Sequence, residues 1–319
     1  MSRDPRARLL LAFAAVYVIW GSTYLGIRWA IETIPPFTMA GVRFLIAGGL
    51  MYVWARVRGA PNPGAAEWRA AFIIGALLLL GGNGGVVWAE TRVASGLAAL
   101  FVGAEPLWAV LLDWARPGGT RPRALVIAGL LVGFGGVVLL AAPGHGGGAD
   151  LLGVAVLLAA TISWAAGSIY SRHAAVPADP LMSTGTKMLA GGLVLAVVGA
   201  GAGELSGFDV TAVSAKSALA TLYLIVFGAI AGFTAYMYLL SHTTIAKAST
   251  YAYVNPIVAL LLGWALAGEA LTARTWLAAG VIIGGVALIN SGQFAAAGRR
   301  LFSRGGGALR TAVPSRPES

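Results

Sequence analysis

Long apolar runs separated by short polar segments dominate the hydropathy pattern of the chain. A helix that crosses a bilayer needs about 20 mainly apolar residues. Ten runs approach this length, at residues 9–27, 37–55, 70–89, 95–115, 124–142, 151–170, 181–202, 217–240, 248–267 and 275–292. None of them shows the apolar–polar alternation of a barrel strand. The pattern therefore predicts an all-α membrane protein with ten transmembrane helices.

Composition removes several alternatives. Charged residues make up 11% of the chain and hydrophobic residues 58%, whereas a soluble protein usually carries about 25% charged residues. The absence of cysteine excludes a disulfide scaffold and a thiolate metal site. The net charge of +10 is spread over loops and tails rather than one basic face, so we expect no nucleic-acid partner.

Lysine and arginine are distributed unevenly between alternate loops. If the N-terminus is cytoplasmic, 16 of the 22 lie on the inner side and 4 on the outer side, while Arg43 and Lys187 lie within spans. This bias predicts a bacterial inner-membrane protein with both termini in the cytoplasm. Residues 1–8 would form a cytoplasmic N-terminal segment, and residues 293–319 a disordered cytoplasmic tail in contact with anionic membrane lipid.

The two halves of the chain resemble each other at a shift of 144 to 151 residues. The matched pairs include Trp20 with Trp164, Arg43 with Lys187, and Pro106 with Pro256. A glycine-rich linker at 143–150 lies on the predicted outer side, between repeats at 9–142 and 151–292. Because each repeat holds five spans, an odd number, the second runs opposite to the first. Inverted repeats of this kind are common in secondary transporters, in which the two halves exchange conformations.

Two of the predicted spans contain a proline near mid-membrane, Pro106 and Pro256. A proline inside a helix leaves the carbonyl four residues earlier without its partner. That carbonyl must meet protein or a wet cavity, so each proline indicates either a packed kink or a broken helix beside a site. Glu105 precedes the first proline and is the only carboxylate predicted deep in the membrane. It is a proton carrier, a partner for a substrate amine, or a neutral acid bonded to a helix carbonyl.

Aromatic and polar side chains share helix faces at a spacing of four residues. These pairs are Trp20 with Tyr24, Trp164 with Ser168, and Tyr251 with Asn255. Each pair alone is compatible with packing, but with Glu105 they predict a cavity for a solute with an apolar body and a charged amine. Arg43 and Lys187 either snorkel to the membrane surface or act as an anion anchor or gate charge.

The sequence contains neither an H-E-x-x-H metal motif nor a G-x-x-x-x-G-K-[ST] phosphate loop. We therefore expect no metal, no cofactor and no nucleotide-driven pump. Two other classes of protein are alternatives: an intramembrane enzyme, which needs a nucleophile beside a base, and a structural membrane protein. Neither explains why the chain should contain an inverted repeat.

Several short motifs recur in one known family. They are Trp20-Gly21-Ser22-Thr23-Tyr24, Pro35-Pro36, Arg43-Phe44, Tyr253-Val254-Asn255-Pro256 and Gly268-Glu269. Through them, residues 9–292 resemble the EamA family of the drug/metabolite transporter superfamily. The resemblance implies ten helices in two inverted halves and efflux of amino acids, other small metabolites or drugs. It assigns no role to Glu105, and Trp114-Ala115-Arg116-Pro117 replaces the first-half counterpart of Gly-Glu.

Together these features predict an inner-membrane secondary transporter that exports amino acids or similarly sized amphiphiles by alternating access. Its energy source stays open between a proton gradient acting through Glu105 and facilitated diffusion.

Overall fold

A computed structural model describes residues 5–119, 121–141, 150–243 and 251–308, which contain helices and loops but no strand. We label the long helices of this part α1 to α10. They are α1 (Pro5–Ala30), α2 (Pro36–Val57), α3 (Ala65–Ala89), α4 (Ser95–Ala115), α5 (Ala124–Ala141), α6 (Leu151–Ser171), α7 (Pro180–Gly201), α8 (Ala215–Tyr223 continued by Leu224–Ala231 and Gly232–His242), α9 (Tyr251–Ala267) and α10 (Ala273–Ala308).

Helices α1 to α8 are each long and apolar enough to cross a membrane. Helices α9 and α10 contain shorter apolar stretches, Val254–Ala267 and Ala273–Ile289. Large apolar side chains such as Leu131 and Val197 are exposed, as on a surface that lipid covers. The described part of this membrane protein is thus all-helical and holds eight clear candidate spans, where the apolar runs predict ten.

The segment predicted to be a disordered tail begins as helix, because α10 continues to Ala308. Residues 293–302 are rich in alanine, arginine and other good helix formers, which explains the extension. Residues 309–319 lie outside the described residues, as do residues 1–4 and most of the predicted linker at 143–150. The last linker residue, Asp150, caps α6, and the Gly153 backbone N–H that it accepts lowers the pKa of its carboxyl.

Helices α2 and α7 pack against each other in antiparallel directions along a glycine seam. A Cβ atom on Gly41 would lie 3.1 Å from the Ala196 backbone nitrogen, and one on Gly48 would lie 2.8 Å from that of Leu189. From Gly41 to Gly48 on α2, the facing residue on α7 moves back by seven, from Ala196 to Leu189. The two backbones therefore run side by side in a fixed register, at a distance that only glycine allows.

Helices α5 and α10 form a second antiparallel glycine seam. A Cβ atom on Gly136 would lie 2.9 Å from the Ile282 nitrogen, and one on Gly285 would lie 2.5 Å from the Gly133 nitrogen. Close approach through small residues is a common way for membrane helices to associate. These two helices pack at the side of the bundle.

Carboxylates from second-half loops cap two first-half helices. Glu204, after α7, accepts the backbone N–H groups of Phe37 (3.0 Å) and Thr38 (2.7 Å) at the start of α2. Glu269, after α9, accepts the backbone N–H groups of Ser95 (2.7 Å) and Gly96 (2.9 Å) at the start of α4. An anionic cap satisfies the free N–H groups of a helix start and interacts favourably with its dipole. The Gly268-Glu269 motif therefore ties the two halves together.

Candidate functional site

A cavity of about 500 Å³ lies between helices of both halves. Its walls come from α1 to α4 and from α6 to α9, whereas α5 and α10 contribute no lining residue among the described ones. This volume is typical of a small-molecule site. The residues predicted as solute contacts that line it are Trp20, Tyr24, Glu105, Trp164, Tyr251 and Asn255. Ser168 is half-buried on α6 and lies outside the cavity wall.

The two prolines behave differently, although both line the cavity. Helix α4 is interrupted at Ala104, between Ser95–Gly103 and Glu105–Ala115, and Pro106 stands in the first turn of the second segment. Pro256 instead lies inside the continuous helix Tyr251–Ala267, so of the two alternatives the broken helix is not found there. Its missing N–H removes one hydrogen bond without ending the helix.

Helices α3 and α8 each contain a π-helical segment that the sequence pattern did not predict, Gly75–Gly84 and Leu224–Ala231. Carbonyl groups of both segments accept hydrogen bonds from neighbouring helices. The Leu77 oxygen accepts the Ser163 hydroxyl (2.8 Å), and the Gly228 oxygen accepts the Trp20 indole N–H (3.1 Å). Wide turns of this type are frequent at functional sites, and here both form cavity walls.

Three aromatic rings meet on the second-half side of the cavity. The Trp20 ring lies 5.2 Å from that of Tyr236 and 4.9 Å from that of Tyr251, with the latter edge-on. Gly232 leaves room for this indole, because a side chain there would collide with it. The repeat-equivalent Trp164 lies over Gly82 of α3 and is 37% exposed. Both tryptophans therefore offer ring surface to a bound molecule.

Arg43 and Lys187 line the same cavity at different heights. In the α2–α7 register they differ by seven residues, about 10 Å along the helix axis. Arg43 is only 5% exposed, and its Nε and Nη1 atoms have no hydrogen-bond partner. Lys187 is half-buried, and its Nζ donates to the Ser171 hydroxyl at 3.3 Å.

Glu90 is a buried carboxylate that the sequence interpretation overlooked. It follows the end of α3, is 0% exposed, and neither carboxylate oxygen has a hydrogen-bond partner. The Arg28 guanidinium donates to its backbone oxygen at 2.8 Å, and Arg28, Arg43 and Glu269 are the charged groups that act on it electrostatically. Glu105 is half-buried and lines the cavity, so Glu90 is the more enclosed of the two carboxylates. The apolar run that precedes Glu90 is the sequence feature from which its burial could have been expected.

No group of three or more histidine, aspartate or glutamate side chains among the described residues could hold a metal ion. The polar groups of the cavity are instead amides, hydroxyls, one carboxylate and two cations. Such a set can bind an organic solute through hydrogen bonds and charge, without a bound metal.

Comparison with known proteins places this fold and cavity in a family. The model of the EamA-like transporter family matches the chain twice, over residues 7–142 and 151–291. The chain is 42% identical over 285 residues to the uncharacterized inner membrane transporter YedA of Escherichia coli (strain K12), covering 89% of this chain and 90% of that protein. It is 24% identical to the uncharacterized transporter YvbV of Bacillus subtilis (strain 168), covering 91% and 94%.

A solved crystal structure gives the same result for the fold. It superposes with a TM-score of 0.60 at 22% identity and covers 89% of this chain and 97% of its own. Since the identity is low, this likeness concerns the fold alone. The two family matches and the identity to YedA lead to one conclusion: the chain is a multi-pass membrane protein that belongs to the EamA-like transporter family.

Proposed function

We propose that the protein is a secondary transporter of the bacterial inner membrane that exports amino acids or similarly sized amphiphilic solutes by alternating access. One observation carries this proposal: a single cavity is built by four helices from each of the two family matches. A site shared by two related halves can open to either side when one half moves against the other. Both termini are proposed to be cytoplasmic, and α9 and α10 to cross the membrane as well.

The contacts between α2 and α7 support an inverted repeat. Gly41 approaches Ala196, and a shift of 144 residues between the halves turns this pair into Gly185 and Tyr52. That second close approach is also present in the structure. The approach of Gly48 to Leu189 has its equivalent between Gly192 and Leu45. A two-fold axis produces this kind of self-complementary interface. An axis between α2 and α7, in the plane of the membrane, would therefore relate the two halves.

The cavity lining favours a solute with an apolar body and polar groups at one end. The rings of Trp20, Tyr251 and Trp164 supply apolar surface. Asn255 is 92% buried, since only 8% of it is exposed, and its Oδ1 atom has no partner. A sugar phosphate is less favoured, because the backbone positions of Arg43 and Lys187 lie about 10 Å apart along the helix axes.

Loss of lining side chains should weaken solute binding in a graded way. We expect Asn255→Ala to raise the dissociation constant about two- to ten-fold, the value of one neutral hydrogen bond. Trp20→Ala and Trp164→Ala should raise it further because each removes a large ring surface. Equilibrium binding of a labelled amino acid, found by screening all twenty, measures these changes. Trp264→Ala is the matched control, since Trp264 is 58% exposed and lies outside the cavity wall. Unchanged binding in all three lining variants places the site elsewhere.

Cysteine labelling tests the proposed orientation, because the natural chain has no cysteine. Arg121→Cys, in the loop after α4, should react only from the cytoplasmic side, and Gly146→Cys only from outside. Arg121 is preferred to Gly118, whose φ of 75° would strain a cysteine. If both cysteines react from the same side of the membrane, the proposed orientation is wrong. It is also wrong if Arg121→Cys reacts only from outside and Gly146→Cys only from the cytoplasmic side.

Replacement of Glu105 separates its possible roles. If its carboxylate carries the coupling proton, Glu105→Gln should abolish the pH dependence of transport and leave the protein folded. If it is a neutral hydrogen-bonding acid, glutamine should be nearly silent. Transport rates between pH 5 and 8 in sealed vesicles measure the difference. An unchanged pH profile eliminates the coupling role.

Solute flux into sealed liposomes tests the proposal against an enzyme or a structural protein, because only a transporter moves solute unchanged across a bilayer. We expect vesicles with protein to take up a labelled amino acid faster than empty vesicles. If none of the twenty amino acids enters faster, the proposed solute class is wrong.

A further inference from the structure

We infer that Arg43 binds the carboxylate of the transported solute, so that the cavity selects zwitterionic amino acids over the corresponding amines. This inference rests on the proposed function and names the group that the solute must carry. It starts from the one guanidinium that lines the cavity.

The Arg43 side chain is buried but not satisfied. It is 5% exposed, and its Nε and Nη1 atoms have no hydrogen-bond partner. A buried charge without a partner is costly. The planar fork of a guanidinium fits the two oxygens of a carboxylate, and this pairing is among the strongest hydrogen-bonded contacts in proteins. A solute carboxylate in the cavity would supply the acceptors that the protein leaves out.

No carboxylate among the described residues takes this place. The ion pairs within 4.0 Å in that part of the chain do not include Arg43. Glu90 acts on it electrostatically but lies outside the cavity wall, one turn beyond the lining residue Val86. Both carboxylate oxygens of Glu269 already accept backbone N–H groups at the start of α4. Arg43 therefore keeps donor atoms that no carboxylate among the described residues accepts.

Acceptors for an ammonium group lie elsewhere in the same cavity. The Oδ1 atoms of Asn83 and Asn255 are buried without partners, and the Glu105 carboxylate also lines the wall. The cavity therefore combines an unpaired donor with unpaired acceptors, which matches a zwitterion. Lys187 differs from Arg43, because it already donates to Ser171 and is half-exposed to solvent.

Calorimetric binding to the purified full chain tests this inference with L-phenylalanine and L-leucine, each compared with its amide, which lacks the carboxylate. Wild-type protein should bind the better of the two acids about 10- to 100-fold more tightly than its amide, the range for a hydrogen bond to a charged group. Arg43→Gln should remove this preference, because the acid then loses its guanidinium partner, and thermal unfolding in mild detergent checks that the variant is folded. Lys187→Gln is the matched control and should keep the preference.

Each result decides the matter. A preference that survives Arg43→Gln, or one that Lys187→Gln removes, overturns the inference. If Arg43→Gln does not fold, Arg43→Lys is measured instead, because lysine keeps the positive charge but lacks the planar guanidinium. If Arg43→Lys still prefers the acid to its amide as strongly as the wild type does, the inference is overturned. Equal binding of acid and amide by wild-type protein also overturns it, while the proposed function stands. If neither acid binds and no amino acid crosses the membrane, the proposed function fails as well.

Discussion

Gly48→Leu is expected to abolish the accumulation of folded protein, whereas Gly49→Leu at the next position should be tolerated. A Cβ atom on Gly48 alone would lie 2.8 Å from the Leu189 nitrogen and 3.0 Å from the Gly185 oxygen, both backbone atoms of α7. Backbone cannot move aside as a flexible side chain does. Overpacking costs about 1–3 kcal/mol even where side chains can adjust, so a whole leucine at this seam should cost more.

Gly49 is a close control for this change. Nothing lies within 4 Å of a Cβ atom there, and the gain in helix propensity over glycine is the same at both positions, about 1 kcal/mol. Fluorescence-detected gel filtration and thermal unfolding in mild detergent measure the two variants side by side. Equal amounts of monodisperse protein with equal melting temperatures would show that α2 and α7 do not pack as described.

Glu90→Gln is expected to lower the free energy of unfolding, and its coupling to Arg43 should be about 0.5–3 kcal/mol, the range for residues of one charged network. Glu90 acts electrostatically on the buried Arg43, so the variant removes this interaction. Replacing both residues, Glu90→Gln with Arg43→Gln, removes one charge of each sign. The double variant should therefore be more stable than the sum of the single changes predicts.

Thermal unfolding of the wild type, the two single variants and the double variant gives the coupling energy. Glu32→Gln serves as control because Glu32 pairs with Lys216 at an exposed position, where such a pair contributes about 0–1 kcal/mol. If Glu90→Gln destabilises no more than Glu32→Gln, or if the two changes are additive, Glu90 does not compensate Arg43.

The features that follow from local composition could be predicted from the sequence. The first eight apolar runs coincide within a few residues with α1 to α8, because burial in lipid acts on every residue of a span. Trp20, Trp164 and Asn255 could be placed at one cavity because the repeat aligns α1 with α6 and α4 with α9. Sequence comparison within one chain can detect such a repeat, and all three residues line the cavity.

Features that depend on tertiary packing could not be predicted in this way. Pro256 lies inside the continuous helix Tyr251–Ala267, so the position of a proline in an apolar run does not decide whether the helix breaks there. The π-helical turns of α3 and α8 depend on contacts such as that of Trp20 with the Gly228 carbonyl. Glu90 follows an apolar run, and its burial beside Arg28 and Arg43 depends on how other helices pack.

Counterflow in liposomes tests most directly the central claim, that one cavity alternates between the two sides of the membrane. Vesicles containing the protein are loaded with an unlabelled amino acid that binds, and a trace of the labelled amino acid is added outside. A carrier exchanges solute faster than it returns empty, so the label should rise transiently above its equilibrium level, and less so with Trp20→Ala. Entry of the label only up to equilibrium, equally fast with and without unlabelled solute inside, would contradict alternating access.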